Sequence, residues 1–496
     1  MKNDYKSLFF SLLNFLKIHA ITLLLGVSVF SYIVIKASIS SFTHDESFSY
    51  LHYISTSFMD IISFKDWFTN NHILNSLLMK YSEKLFGNSE FSLRLPNLLL
   101  FIVYLVYSFL LFRKNSKLLI VSIFLLLCTN NALVDFFGLA RGYGLSFGFM
   151  LMGLYHFIQS YYNQKTKNII LFHTAALLAI LSNFTLLDFY LALLLIYNVL
   201  SIVDSKIISS EKYHFFNSNK IHIIPLLIII IILYEPVRRV IMNSNLDFGG
   251  KIGFYSDTVE SLVNYCIHGY GLSADVWVVA KILFTIILLT PTVIIIRMII
   301  IKDENFFKNQ KGLIISNLLF LFISIAIILQ HILFKADYPI ARFSLFLLPL
   351  YIIHFGFILS YISSYYKKTV TILAMSLALI SSASFVLKAD LYLCSEWKYD
   401  METKNMIQKL TEYHSKNSTD TAKIKLGIDW IFEPAINFYI ETKDIKWLLP
   451  ADRNGISVND DYCYVFSESF KLMDSNRYIV VAEFKKANTV LLKNKK

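Results

Sequence analysis

The chain has 496 residues, a mean hydropathy of +0.55 and only 16% charged residues, well below the roughly 25% of an average soluble domain. Stretches of the roughly 20 apolar residues a helix needs to cross a membrane recur along it, too long and continuous for barrel strands. A soluble globule is excluded, and so is a nucleic-acid partner, because the net charge of +11 sits mainly in short connections and at the chain ends, the distribution of a membrane orientation signal.

The first apolar run, Ile18 to Ile35, follows Lys2, Lys6 and Lys17 with no small-residue cleavage site after it, and reads as a retained signal anchor. Polar chemistry then concentrates in residues 42–97, which hold His44, Asp45, Glu46, Asp60, Asp66, His72, Glu83 and Glu90. Within this loop HILNSLLMKYSEKLF places Leu74, Leu77, Leu78, Tyr81 and Leu85 on one helical face and Asn75, Lys80, Ser82 and Lys84 on the other. That pattern predicts a helix lying in the membrane interface, with a weaker version over Ser47 to Phe64.

Further apolar windows at 94–112, 117–133, 144–162, 168–183, 186–203, 221–237, 276–300, 312–333, 340–362 and 369–388 bring the expected spans to eleven. With the N-terminus cytoplasmic, Arg113, Lys114 and Lys117, then Lys165 and Lys167, Lys206, Lys212 and Lys220, Lys302, Lys308 and Lys311, and Lys367 and Lys368 all fall on the cytoplasmic side, as the positive-inside bias requires. Outside lie the 42–93 loop, the turn from Asp135 to Tyr143, the 238–275 loop with its DFGG turn before Lys251, the KADYPIAR turn and everything after Ala389. The DFGG turn is either a lid or a plain connection. The expected architecture is a polytopic α-helical membrane domain, 1–388, followed by a small extracytoplasmic α/β domain, 389–496.

In that tail EWKYDMETKNMIQKLTEYHSKNST and IFEPAINFYIE read as helices, and KIKLGI, DYCYVF, RYIVVAEF and TVLLKN as strands. Cys394 and Cys463 either pair or remain two buried thiols. Asn183-Phe-Thr185 and Asn417-Ser-Thr419 match glycan sequons, a pattern that also arises by chance.

Several residues read two ways. Asp45 and Glu46, just past the first span, are either functional or solvated at headgroup level. Asp135 is either an acid for chemistry or a turn carboxylate capping the next helix. Arg141, beside Gly142, Tyr143 and Gly144, either forks onto phosphate oxygens or snorkels to headgroups. Arg342, with Lys335, Asp337 and Tyr338 nearby, is a second outside arginine at a helix mouth. Arg94 reads as structural, pairing with Glu90 or a loop carboxylate, and His72 as a hydrogen-bonded loop residue or a site group.

The words HDE at 44–46, NNHIL at 70–74, LFGNSEFSLRLPN at 85–97 and DFFGLARGYG at 135–144 resemble those of the GT-C glycosyltransferases, in particular the protein O-mannosyltransferase and aminoarabinose transferase-like group. That group has an acidic motif after the first membrane helix, a word of the H-P-L type, then LFG-x-S/N-E-x-x-x-R-L-P entering the second. Motif resemblance covers roughly the first 200 residues, the rest following by architecture. Ile73 departs from the group's proline after the histidine, which bears on His72 and leaves Asp45 untouched.

The resemblance implies inverting transfer of one sugar from a polyprenyl-phosphate donor to a lipid, glycan or protein acceptor on the extracytoplasmic face of a bacterial inner membrane. Asp45 is then the expected base, with Glu46 and Asp135 as further catalytic candidates. Arg141, Tyr143, His72, Lys335, Tyr338 and Arg342 are the expected substrate contacts, with membrane lipids as partners and no metal or other cofactor. The competing classes are a lipid-linked glycan flippase or other transporter, which would place ionisable groups and broken helices at the bilayer midplane, and a non-catalytic scaffold displaying the tail. The sequence is silent on the sugar, the acceptor and the oligomeric state.

Overall fold

The structure, a computed structural model, describes residues 2–66, 68, 70–163, 165–207, 215–242, 249–267, 274–417 and 423–495; Lys212 and the last two residues of the sequon at Asn417 lie outside them. In chain order the α-helices of eight residues or more are α1 (Lys2–Ile39), α2 (His44–Tyr53), α3 (Ile73–Phe86), α4 (Glu90–Phe112), α5 (Lys117–Cys128), α6 (Gly142–Asn163), α7 (Thr166–Ser182), α8 (Leu186–Ile207), α9 (Phe215–Met242), α10 (Glu260–Ile267), α11 (Ala274–Ile300), α12 (Lys311–Phe334), α13 (Leu347–Ile362), α14 (Lys367–Leu387), α15 (Thr403–Asn417) and α16 (Glu433–Thr442). The chain divides into two compact units. One runs to Ser31 and includes Leu99–Val134 and Gly142–Ala389; the other is Tyr32–Leu98, Asp135–Arg141 and Asp390–Lys496.

The first unit is helical and apolar. Among the described residues eight helices are long and apolar enough to cross a membrane, and nine if α5 and the segment Asn131–Gly138, bent by 65°, form one span. The protein is an integral membrane protein. The two other expected windows are also helical: α6 carries Gly, Tyr, His and Gln among its apolar residues, and α7 has 17 residues. Small residues bring helices close, as lipid-embedded packing demands. A Cβ on Gly148 would stand 2.9 Å from the Leu100 carbonyl oxygen, and one on Gly153 would touch Ala175.

The DFGG turn is pinned, so it is not a free connection in its described part. Gly250 and Tyr338 exchange both backbone hydrogen bonds, at 2.9 and 2.8 Å. A Cβ on Gly249 would overlap the Tyr338 carbonyl, and one on Gly250 the Asp257 carboxylate, so only glycine fits either position.

The second unit joins the polar tail to the first loop. Its sheet has the strands β1 (Leu426–Ile428), β2 (Tyr462–Phe466), β3 (Tyr478–Phe484) and β4 (Thr489–Asn494) in the order β1-β2-β4-β3. The β1/β2 pair is parallel and the others antiparallel, with a register shift between Val480 and Ala482. All four predicted strands form. The long predicted tail helix instead starts as a kinked 3-10 stretch, Ser395–Glu402, in which Trp397 is not helical, before α15 begins. One core includes Phe42, Tyr50, Met79 and Leu93 from the loop and Phe438, Tyr439 and Leu491 from the tail. Cys394 and Cys463 are both buried free thiols, which decides against the disulfide.

The face of α3 turned inward is mixed, with Ile73 and Leu77 buried beside polar groups. Asn75, Ser76, Met79 and Ser82 are buried, whereas Tyr81, Leu85 and Phe86 are exposed. The buried polar groups find fixed partners, Asn75 with Ala140 and Asn97, Ser76 with Asn71 and Ser82 with the Ser92 carbonyl.

Candidate active site

The site grows from the start of α2. Thr43 caps that helix and Glu46 sits three residues on; the Thr43 backbone N–H and hydroxyl both donate to Glu46 Oε2 at 3.0 Å, a capping box. Glu46 also takes two bonds from Arg94, at 2.8 Å from Nε and 2.7 Å from a terminal nitrogen, and one at 2.6 Å from the Ala140 N–H. The remaining donors of Arg94 go to the carbonyls of Ala37, Ser40 and Ser41 and to the Ser40 hydroxyl, at 2.7 to 3.0 Å. Both side chains are 0% exposed, and every bond direction of the guanidinium fork is used.

This pair holds the polypeptide at residue 140. Glu46 grips the Ala140 N–H, and Asn75 Nδ2, itself bonded through Oδ1 to Asn97, donates to the Ala140 carbonyl at 2.8 Å. Arg141 follows directly. Its guanidinium lies 3.2 Å from Asp45 Oδ2, and it also reaches the Asp45 carbonyl, the Ser49 hydroxyl and the Asn70 carbonyl at 3.3 to 3.5 Å. The Asp45 side chain keeps 15% of its surface exposed while that of Arg141 keeps 2%. A partly open carboxylate thus stands against a buried cation whose preceding residue is held at both its N–H and its carbonyl.

The tail fixes the same turn from behind. Asp400, fully buried, accepts from the His44 N–H at 2.6 Å, and His44 Nδ1 meets the Ile431 carbonyl at 2.7 Å. Burial pushes the Asp400 carboxyl well above the usual carboxylate range, and the negative charges of Asp45 and Glu46 add to that. Tyr439 accepts from the Phe42 N–H at 2.8 Å and donates to Glu90, which also meets Lys404 at 2.9 Å. The Ser41 hydroxyl bridges the Met401 carbonyl and the Lys404 N–H.

The structure brings Asp45 and Arg141 together and gives the other acidic candidates different partners. Glu46 is committed to Arg94, which pairs with a loop carboxylate as expected. Asp135 is buried against Lys36, with Nζ 2.7 Å from its carboxylate. His72 starts α3 as its N-cap residue and is half-buried. Asn70 ties the Asp45 carbonyl to the Ser49 hydroxyl.

Tyr143, Lys335, Tyr338 and Arg342 belong to the other unit. Tyr143 is buried there, Lys335 ends α12 in a left-handed conformation (φ 58°), Tyr338 stacks on His331 at 4.2 Å, and the Arg342 guanidinium lies 5.4 Å from the Phe343 ring. Among the described residues no three His, Cys, Asp or Glu side chains cluster as metal ligands.

No protein-family model and no curated protein matches the sequence. Among solved structures the chain is similar to ArnT from Cupriavidus metallidurans bound to undecaprenyl phosphate, with a TM-score of 0.51 and 10% identity over 95% of this chain and 97% of that one. The chain has the GT-C fold. The similarity to the archaeal oligosaccharyltransferase AglB from Archaeoglobus fulgidus, in complex with an inhibitory peptide and a dolichol-phosphate, has a TM-score of 0.43 and 12% identity over 90% of this chain and 70% of that one. Within the GT-C fold of this protein, sequence reasoning missed Lys36, Asn75 and Asp400. Lys36 had a signal, a lone ammonium in the last turn of an apolar helix; Asp400, in a polar tail among many charges, had none.

Proposed function

We propose that this protein is a membrane glycosyltransferase that moves one sugar from a polyprenyl-phosphate carrier to an acceptor hydroxyl at the extracytoplasmic face, with inversion. The observation that carries this is the Asp45 carboxylate, partly open and 3.2 Å from the buried Arg141 guanidinium. The undecaprenyl phosphate in the similar ArnT structure supplies the donor's lipid class.

In this scheme the acceptor oxygen bonds to the anomeric carbon from the face opposite the phosphate. The bond between that carbon and the phosphate oxygen breaks, the hydroxyl proton passes to Asp45, and the polyprenyl phosphate leaves with an added negative charge beside Arg141. A positioned carboxylate contributes about 10²–10⁴-fold to such a step, and the guanidinium meets charge where it develops. Arg141 carries that duty in this scheme, with no metal or other cofactor. Glu46 and Asp135, committed to Arg94 and Lys36, have structural roles. His72, Tyr143, Lys335, Tyr338 and Arg342 remain proposed donor or acceptor contacts.

The test compares glycolipids and glycoproteins by mass spectrometry in cells with the wild-type chain, without it, and with Asp45→Asn at equal membrane abundance. A product that vanishes both without the chain and with Asp45→Asn supports the proposal. A product that persists with Asp45→Asn, or lipid-linked sugar that crosses vesicles with no glycosylated product, overturns it.

A further inference from the structure

A polar cavity of the helical unit is lined by none of the residues of the scheme above. It measures about 500 Å³ and is formed where α4, α6 and α13 end and α5, α12 and α14 begin. Its cations are Arg113, Lys114 and Lys367, with Ser116, Ser363 and Ser364 between them, and no Asp or Glu lines it. Among the described residues none of the three cations forms an ion pair, although Lys114 lies 5.7 Å from the Tyr162 ring. The neighbouring Lys311 behaves differently, being held by Asp204 at 3.6 Å and by the Tyr161 ring at 4.2 Å. Lys311 thus has an acidic partner, and the three cations of the cavity stand apart from it.

Two further features give the cavity a direction. The helices α5, α12 and α14 start at its wall without a side-chain cap, so their first backbone N–H groups add partial positive charge to that of the side chains. Its floor is apolar, built by Leu110, Leu111, Ile158, Leu313 and Phe357; a Cβ on Gly312 would overlap the Phe357 ring, so that glycine lets the floor close. Tyr162 at its wall is exposed, as are Tyr365 and Tyr366, next in sequence to Ser364 and Lys367; exposed aromatic rings suit headgroup depth. Positive walls above an apolar floor, at the ends of membrane-spanning helices, match a molecule that carries phosphate at one end and hydrocarbon at the other.

We propose that this cavity binds the phosphate-bearing headgroup of an anionic membrane lipid, with Arg113, Lys114 and Lys367 on the phosphate and the start of the acyl region against the apolar floor. Basic pockets between membrane helices on the side of the basic connections suit such headgroups, each cation contributing about fivefold in affinity. The site joins the ends of six helices, so an occupied pocket also ties them together.

The test uses the full-length protein in detergent, titrated with phosphatidylglycerol, with phosphatidylcholine and with inorganic phosphate, and read by native mass spectrometry and by thermal shift. Phosphatidylglycerol is expected to bind and raise the Tm, with the triple variant Arg113→Gln/Lys114→Gln/Lys367→Gln weakened on the order of a hundredfold. The variant Lys165→Gln/Lys167→Gln/Lys368→Gln removes three exposed charges outside the cavity and keeps wild-type binding. Ser364→Trp fills the cavity without altering charge and is expected to lose the lipid too. Equal binding of phosphatidylcholine, an undiminished response in the cavity variants, equal weakening in the control, or a full shift with inorganic phosphate alone overturns the proposal.

Discussion

Glu46 with Arg94 and Asp45 with Arg141 are carboxylate–guanidinium pairs anchored one residue apart in the first turn of α2, and they differ in almost every physical respect. The first has no exposed surface and short bonds in every direction; the second pair meets at 3.2 Å and keeps its carboxylate partly open. The first holds a peptide plane, and the second is displayed by it. Adjacent identical charges thus serve different ends because one side of a helix start faces the packed turn and the other faces open space.

The largest effect should come from breaking the inner pair. Arg94→Met leaves Glu46 buried without its cation, which costs about 3–5 kcal/mol; the expected result is loss of monodisperse protein in detergent, with partial recovery in Arg94→Met/Glu46→Leu. A stable Arg94→Met single variant would erase the distinction between the pairs. Next comes Asp45→Asn, expected to lower transfer by about 10²–10⁴-fold while Tm stays near wild type. If Tm falls as far as in Arg94→Met, Asp45 is structural too.

Arg141→Lys keeps the charge and loses the two-point fork. It should weaken donor use by about tenfold, read as a raised KM, and an unchanged KM would remove the phosphate from Arg141. A smaller effect tests the support behind α2. Because burial raises the Asp400 carboxyl, the folded protein keeps a proton that the unfolded chain gives up near pH 4. For this group stability is greatest at acid pH and falls as pH climbs from about 4 through the raised value. Asp400→Asn retains an oxygen for the His44 N–H and should flatten the fall in Tm between about pH 5 and about pH 8; parallel slopes would break the link. Smallest of all, burial pushes the Cys463 thiol up to about 12 and raises Cys394 as well, so native protein should alkylate at these two only slowly at pH 7, as mass spectrometry of labelled peptides would show.

Much of this was legible in the sequence. The tail strands announced themselves by alternation and by their turns, and the words around Asp45, Leu85 and Arg141 marked the segments that meet. What the chain could not show was the division of labour between Asp45 and Glu46, because one residue of helix turns the side chain by about 100° and only packing says which side is closed. Lys36 and Asp135 are 99 positions apart, and no local pattern couples them. The faces of α3 were harder to read: amphipathic spacing tells that two faces differ, but packing buries Ile73, Leu77 and Met79 together with Asn75, Ser76 and Ser82.

The amide plane at Ala140 is clamped at both edges, its N–H by Glu46 and its carbonyl by Asn75. It works as a fulcrum: the arginine beyond it can swing only by its own torsions, while the main chain beneath stays put. In the proposed scheme, carriers of unlike headgroup size would be met by side-chain rotamers at position 141 and not by movement of the loop that carries it.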